Sequence, residues 1–322
     1  MESCISRRSV LATLSGTAAA VSLGSIPGPA HAQVSVPWST GTEKPKYKPP
    51  YGATDCHQHI YSSSFKPDPK ATIQAPDATV AEYRLLQARL GLTRNVVIQP
   101  SAYGIDNSGL VSVLGEFGLA TTRGIAVVNT DVTDQELRDL NEAGVRGIRF
   151  NIISPGGATS MDMIEPLSKR IAHLGWHVQL NVSGDQIASN RDLLVRVPCP
   201  VVFDHLGHLP EPEGVKHPAF LVVTELMKKG KGWVKLTGLY NDTKVGPPTY
   251  ADSVGVAAAF VTAAPQQVVW GTDWPHPTEK ADNKPDDALL PDIFAGYVTN
   301  EALRYRILVD NPARLYGFGK RT

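Results

Sequence analysis

From Tyr51 onward, short β-branched runs alternate with amphipathic segments, and a chain patterned in this way has few architectures open to it. Strand candidates fall at 54–60, 95–99, 124–129, 147–151, 177–182, 201–205, 233–237 and 267–272, with helical patterns at 80–90, 134–143, 161–174, 217–228 and 253–263. Glycines at 91, 144 and 175 stand where a left-handed C-cap would close a helix before the next strand. Eight strands with helical crossovers predict a single-domain (β/α)8 TIM barrel over 51–322. The competing doubly wound sheet would carry a glycine-rich phosphate turn after its first strand. Here the first strand ends in histidines instead.

Polar residues gather where the strands end, which in a parallel barrel is the face that carries catalysis. Strand one closes with Asp55-Cys56-His57-Gln58-His59, and alternation along a strand puts His57 and His59 on one face. Strand six closes with Asp204-His205-Leu206-Gly207-His208, and strand eight with Thr272-Asp273-Trp274-Pro275-His276. Several imidazoles and one carboxylate on the same barrel face could polarise a carbonyl and activate water, or bind a divalent metal. Asp55 and Asp204 precede histidines and are expected to orient their neighbours, while Trp274, Tyr61 and Tyr240 are expected to wall a pocket.

Composition narrows the partner. The 322 residues hold 31 basic and 31 acidic side chains, with 42% hydrophobic residues, which is globular and uncharged overall. No basic block is present to hold nucleic acid or an anionic membrane, so the expected partner is a small molecule. Nothing in the sequence assigns an oligomeric state.

The first 32 residues read as an export signal: Arg7-Arg8, a mild apolar run, then Ala30-His31-Ala32. A twin-arginine signal of this kind predicts a periplasmic protein beginning at Gln33, followed by an extended, poorly ordered arm over 33–50. Cys4 leaves with the signal, and Cys56 and Cys199 are expected to be free, buried thiols.

Three segments bring a family into view: 202–207, 270–277, and Asp310-Asn311-Pro312-Ala313-Arg314-Leu315-Tyr316-Gly317-Phe318. They resemble the amidohydrolase superfamily, and within it the branch of 2-pyrone-4,6-dicarboxylate lactonase and the sugar-lactone enzymes. The resemblance covers nearly all of the chain after residue 32 and implies lactone hydrolysis. His57, His59 and His205 would surround the reacting carbonyl and Asp273 would act as general base. Arg149 would bind a substrate carboxylate, and Ser101 and Tyr103 match the strand-two substrate loop. Asn181, His208, Tyr240 and His276 complete the candidate substrate contacts. The 310–314 segment is read as structure, a helix stop followed by a Pro-started turn.

Two departures from the family pattern shape the expectation. Metal-using members carry a histidine on strand five, where this chain offers Asn181, and no bridging lysine stands on strand four. A site without metal is therefore favoured; a zinc-type divalent ion, if used, would sit on His57, His59 and Asp273. Where the dicarboxylate enzyme has an arginine after strand six this chain has His208, and strand seven offers Tyr240, so a mono-acid lactone fits better than a dianion. The alternatives are a metal-dependent decarboxylase or hydratase on the same barrel, and an exported binding protein without activity. The export reading makes a direct prediction: replacing Arg7-Arg8 by a lysine pair should block export, and a variant recovered undiminished in the periplasmic fraction would remove the twin-arginine assignment.

Overall fold

A computed structural model describes residues 35–71, 76–153 and 157–319. The export segment, with Cys4, lies outside the described residues. Eight strands run in parallel, in sequence order around the sheet: β1 Thr54–Gln58, β2 Arg94–Ile98, β3 Thr122–Ala126, β4 Val145–Asn151, β5 His177–Asn181, β6 Val201–Phe203, β7 Gly232–Leu236 and β8 Val268–Trp270. Crossovers are made by α1 Val80–Leu90, α2 Ser108–Phe117, α3 Asp134–Glu142, α4 Ile164–Ile171, the pair α5 Gly184–Ser189 and α6 Arg191–Arg196, α7 Pro218–Lys228 and α8 Ala251–Ala263. After β8 come α9 Leu289–Tyr297, α10 Glu301–Tyr305 and α11 Asn311–Tyr316. The fold is the expected (β/α)8 barrel.

Local chemistry explains the element ends. Thr79 with Glu82 and Thr133 with Glu136 form capping boxes that satisfy the first free N–H groups of α1 and α3. Gly91 closes α1 at φ 75°, in the left-handed region where a side chain would be strained. The observed strands one, six and eight each stop two residues before their expected ends. The polar residues there turn out of the ladder, with His205 at φ 46° and Asp273 at φ 67°.

Two apolar layers hold the barrel. Within β2, Val97 faces the large cluster beneath the helices, whereas Val96 and Ile98 join Cys56, Ile125, Val202, Trp233 and Val269 in a second cluster sealed by Leu315, Tyr316 and Phe318. Period-two alternation thus sends alternate residues to the two sides of the wall. The Asp310–Arg314 segment is structural as expected: Asn311 donates to the carbonyls of Pro265 and Val268 at 2.9 and 2.8 Å, tying α11 to the foot of β8. Cys56 and Cys199 are free and buried.

The β1–β8 seam closes by a different device. Asp273 N donates to His57 O and His59 N donates to Trp274 O, both at 2.8 Å. Beneath them the buried Asp55 carboxylate accepts from Thr272 N (2.9 Å), Thr272 Oγ1 (2.6 Å), His57 N (3.1 Å) and the Tyr83 hydroxyl (2.9 Å). Burial pushes Asp55 up to about 6 even with these donors around it. Gly271 permits the approach, since a Cβ there would lie 2.7 Å from His57 N. The sequence expectation that Asp55 orients its neighbours is met in this form.

Residues 35–50 correct the expectation of a loose arm. They form neither helix nor strand, but barrel side chains grip their backbone. Trp274 Nε1 donates to Pro37 O, Asp292 accepts from the N–H groups of Lys46 and Tyr47, and Arg89 bonds the carbonyls of Thr40 and Glu43 while pairing with Asp286. Backbone capture of this kind leaves no hydrophobic period for a sequence reading to find.

Near the foot of the barrel, His177 is buried with neither ring nitrogen bonded to a described residue, and it packs edge-on against Tyr316. Burial, and after it the Lys235 ammonium, pushes the ring down to about 3. The folded value lies below the free value of about 6.5, so folding favours the neutral ring. This share of stability is complete above about pH 6.5 and falls as pH drops toward about 3, at about 1.4 kcal/mol per pH unit for one proton. His177→Leu should therefore shrink the difference in urea stability between pH 6.5 and pH 4.5, and an undiminished difference would clear this ring of the effect.

Candidate active site

The residues at the strand ends converge on Asp273. Its Oδ1 lies 3.5 Å from His57 Nε2 and 3.5 Å from His59 Nε2, while Oδ2 accepts a 2.6 Å hydrogen bond from the Tyr240 hydroxyl and sits 4.0 Å from His205 Nδ1. His57, His59, His205 and Asp273 are all buried. Of the seven described non-glycine residues with positive φ, five belong to the loops of this site: His205, Leu206, His208, Asp273 and His276. Backbone held in that region must be over-determined by its surroundings, which is common at sites of function.

The histidines have different partners. His59 Nδ1 is 2.9 Å from the Ile98 carbonyl, which can only accept, so Nδ1 carries a proton and Nε2 faces Asp273. His57 Nδ1 stands between a donor and an acceptor, 3.3 Å from both Lys235 Nζ and Asp204 Oδ1, and its Nε2 faces Asp273. Burial, then Lys235, holds His57 well below its ordinary value, and burial brings His205 down to about 4; both rings are neutral near pH 7. Burial opposes charge on Asp273 as well, but the surrounding imidazoles of His205, His59 and His57 outweigh it and keep the carboxyl ionised.

Below this layer lies a buried charge cluster. Asp204 accepts from Arg149 Nε at 2.9 Å and Gln179 Nε2 at 3.1 Å, and its Oδ1 is 3.6 Å from Lys235 Nζ and 3.3 Å from His57 Nδ1. Burial disfavours its charge, yet His57, Lys235 and Arg149 together hold it well below the usual carboxylate range. Lys235 is fully buried and pushed down to about 8, first by burial. Sequence reasoning passed over it; the signal was a single cation inside the apolar strand Gly232-Trp233-Val234-Lys235-Leu236.

A cavity of about 390 Å³ opens above Asp273, lined among others by His59, Tyr61, Ser101, Arg149, Asn151, Asn181, His205 and His208. Along its wall Asn151 donates to Ser101 Oγ (2.6 Å), Asn181 donates to Asn151 Oδ1 (2.8 Å), and His208 Nε2 lies 2.8 Å from Asn181 Oδ1. Arg149 bonds Asp204 through Nε and also lines the cavity.

Four expected pocket residues stand elsewhere. Tyr103 does not line this cavity; its hydroxyl bonds Ser62 N at 2.9 Å and Ser62 O at 3.2 Å and braces the loop after β1. Trp274 is fully buried and packs on Tyr83, because its N–H is drawn outward to Pro37. Tyr240 touches Asp273 from behind, and the buried His276 stands behind Tyr240, with Nδ1 3.0 Å from its hydroxyl.

His57, His59 and Asp273 are spaced to hold a metal ion, as are His57, Asp204 and His205. The buried His57 Nε2 and Asp273 Oδ1 also lack a hydrogen-bond partner among the described residues, as the donors of a metal site would. A ligating histidine passes its other N–H to a carboxylate or carbonyl; His59 does so to the Ile98 carbonyl, and His57 Nδ1 has the Asp204 carboxylate at 3.3 Å, with the Lys235 ammonium equally near.

The amidohydrolase family profile matches residues 54–318, from β1 to the end of the barrel. The 2-pyrone-4,6-dicarboxylate hydrolase of Comamonas testosteroni is 35% identical over 292 residues, covering 87% of this chain and 94% of that protein. The 4-sulfomuconolactone hydrolase of Rhizobium radiobacter is also 35% identical, over 274 residues, covering 83% of this chain and 91% of its own. An apo crystal structure from Agrobacterium tumefaciens superposes with a TM-score of 0.81 at 26% identity, covering 88% of this chain and 99% of that one. The match spans the whole barrel, and the chain belongs to the amidohydrolase family.

Proposed function

We propose that this protein opens the ring of a small polar lactone with water, using Asp273 as general base. The observation that carries the reading is Asp273 Oδ1: a buried, ionised carboxylate oxygen with no hydrogen-bond partner among the described residues, 3.5 Å from two imidazole nitrogens at the floor of the cavity. A water there can donate one hydrogen to Oδ1 and the other to the His59 Nε2 lone pair. Its oxygen attacks the lactone carbonyl as its proton passes to Asp273. His57 faces the developing oxyanion with an N–H when Lys235 donates to its Nδ1 and leaves the proton on Nε2, and His205 joins it if the Thr237 hydroxyl, 3.0 Å from Nδ1, does the same there. Collapse breaks the ring C–O bond, and Asp273 returns the proton to the leaving alkoxide.

The site is read as working without metal, supported by Asn181 at the end of β5, whose side chain is already engaged by Asn151 and His208. If a divalent ion were bound, His57, His59 and Asp273 would hold it and it would polarise the carbonyl. For the substrate, Arg149 is the one guanidinium among the residues lining the cavity, where Asp242 and Glu279 also stand. One carboxylate and several hydroxyls suit that lining better than two anionic groups do. The periplasmic location rests on the twin-arginine sequence alone.

D-galactaro-1,4-lactone, with one carboxylate and several hydroxyls, is a suitable probe, compared with neutral aldonolactones and with 2-pyrone-4,6-dicarboxylate. Turnover should survive dialysis against a chelator; one tightly held ion per chain, with activity lost on its removal, would sink the metal-free mechanism. Asp273→Asn should lower kcat by about 10² to 10⁴ with an unchanged melting temperature. Turnover retained in that variant would remove Asp273 as the base.

A further inference from the structure

The two oxygens of Asp273 live in different surroundings. Oδ1 has no hydrogen-bond partner among the described residues, while Oδ2 begins a chain running away from the cavity. The Tyr240 hydroxyl donates to Oδ2 at 2.6 Å and lies 3.0 Å from His276 Nδ1, and His276 Nε2 lies 3.1 Å from Asp287 Oδ2. His276 and Asp287 are both fully buried, and Tyr240 is absent from the cavity lining. A carboxylate only accepts, so the single phenolic proton belongs to Asp273. His276 Nδ1 then meets the phenolic oxygen and its Nε2 stands against the Asp287 carboxylate. Tyr240 has no proton left for a substrate.

The far end of the chain is itself held. Asp287 N donates to Ser39 Oγ at 3.2 Å, Thr40 N donates to Pro285 O at 3.1 Å, and the neighbouring Asp286 is paired with Arg89. The backbone adds a direct tie, His276 N to Asp273 O at 2.7 Å.

Resting on Asp273 as the base, we infer that Tyr240, His276 and Asp287 are positioning residues that pin Oδ2 and reserve Oδ1 for the water. A carboxylate free to rotate about its last torsion would exchange its two oxygens and drift from the line of attack. The chain removes that freedom, and proper orientation of a reacting group is worth large factors in rate.

The test uses the full-length mature enzyme and D-galactaro-1,4-lactone, with crystal structures beside the kinetics. Tyr240→Phe should lower kcat about 10- to 100-fold, with KM changed by less than about twofold, because ground-state binding is untouched. Its crystal structure should show the Asp273 carboxylate rotated or in two orientations. Asp287→Asn, remote from the cavity, should give a smaller loss of the same kind and serves if Tyr240→Phe folds poorly. In an Asp273→Asn background, Tyr240→Phe should add nothing, since the two act as one unit. A raised KM with kcat intact would make Tyr240 a substrate contact and overturn the inference. An inactive Asp273→Asn beside a fully active Tyr240→Phe would overturn the positioning role alone, whereas an active Asp273→Asn would overturn the base itself.

Discussion

The site depends on how the barrel is sewn shut. The first and last strands do not pair as a regular ladder; they meet through Asp273 N to His57 O, His59 N to Trp274 O, and the Asp55 carboxylate that collects four donors from both sides. The same few residues that close the sheet carry the proposed chemistry. Asp273 is set between two histidines because its backbone N–H is bonded to the first of them, and Gly271 lets β8 come that near. Asp55 is buried in keeping this register and would lose several hydrogen bonds at once if the strands slid.

A second layer of charge supports the first. Asp204 gathers Arg149, Gln179, Lys235 and His57 within 3.6 Å, and in doing so sets what each can offer upward. Arg149 is oriented through its Nε, and Lys235 is kept against His57 Nδ1. A buried lysine would be expensive alone; beside Asp204 its charge is compensated, and the local arrangement of protons becomes predictable. This is a site pre-arranged by fixed dipoles and charges, the condition under which electrostatic stabilisation of an oxyanion is strongest.

Much of this was legible in the sequence, and the rest was not for physical reasons. Seven-residue and shorter strands showed as β-branched runs, and the polar residues that end them marked the catalytic face, so His57, His59, His205 and Asp273 were found together. Helix α2, Ser108–Phe117, escaped because it has no side-chain cap and opens with Ser-Gly. Tyr103, Trp274 and His276 were assigned to the pocket from their loops, yet a side chain's direction is decided by partners distant in sequence: Ser62 for Tyr103, Pro37 for Trp274, Asp287 for His276. Lys235 was visible but unassigned, since its meaning comes from Asp204 and His57 on other strands.

The docked arm and the seam bear on the order in which this protein can become an enzyme. Thr272 bonds Asp55 across 217 positions of the chain, Trp274 bonds Pro37 across 237, and Lys46 bonds Asp292 across 246. Contacts so remote in sequence close late, after the entropy of a very long loop has been overcome. During synthesis β1 and the arm emerge first and must wait, their histidines facing an unfinished sheet, until the segment from Trp270 to Asp292 leaves the ribosome. Seven strands can form without a catalytic carboxylate in place, so activity reports completion of the last strand more sharply than any measure of helix or sheet content would.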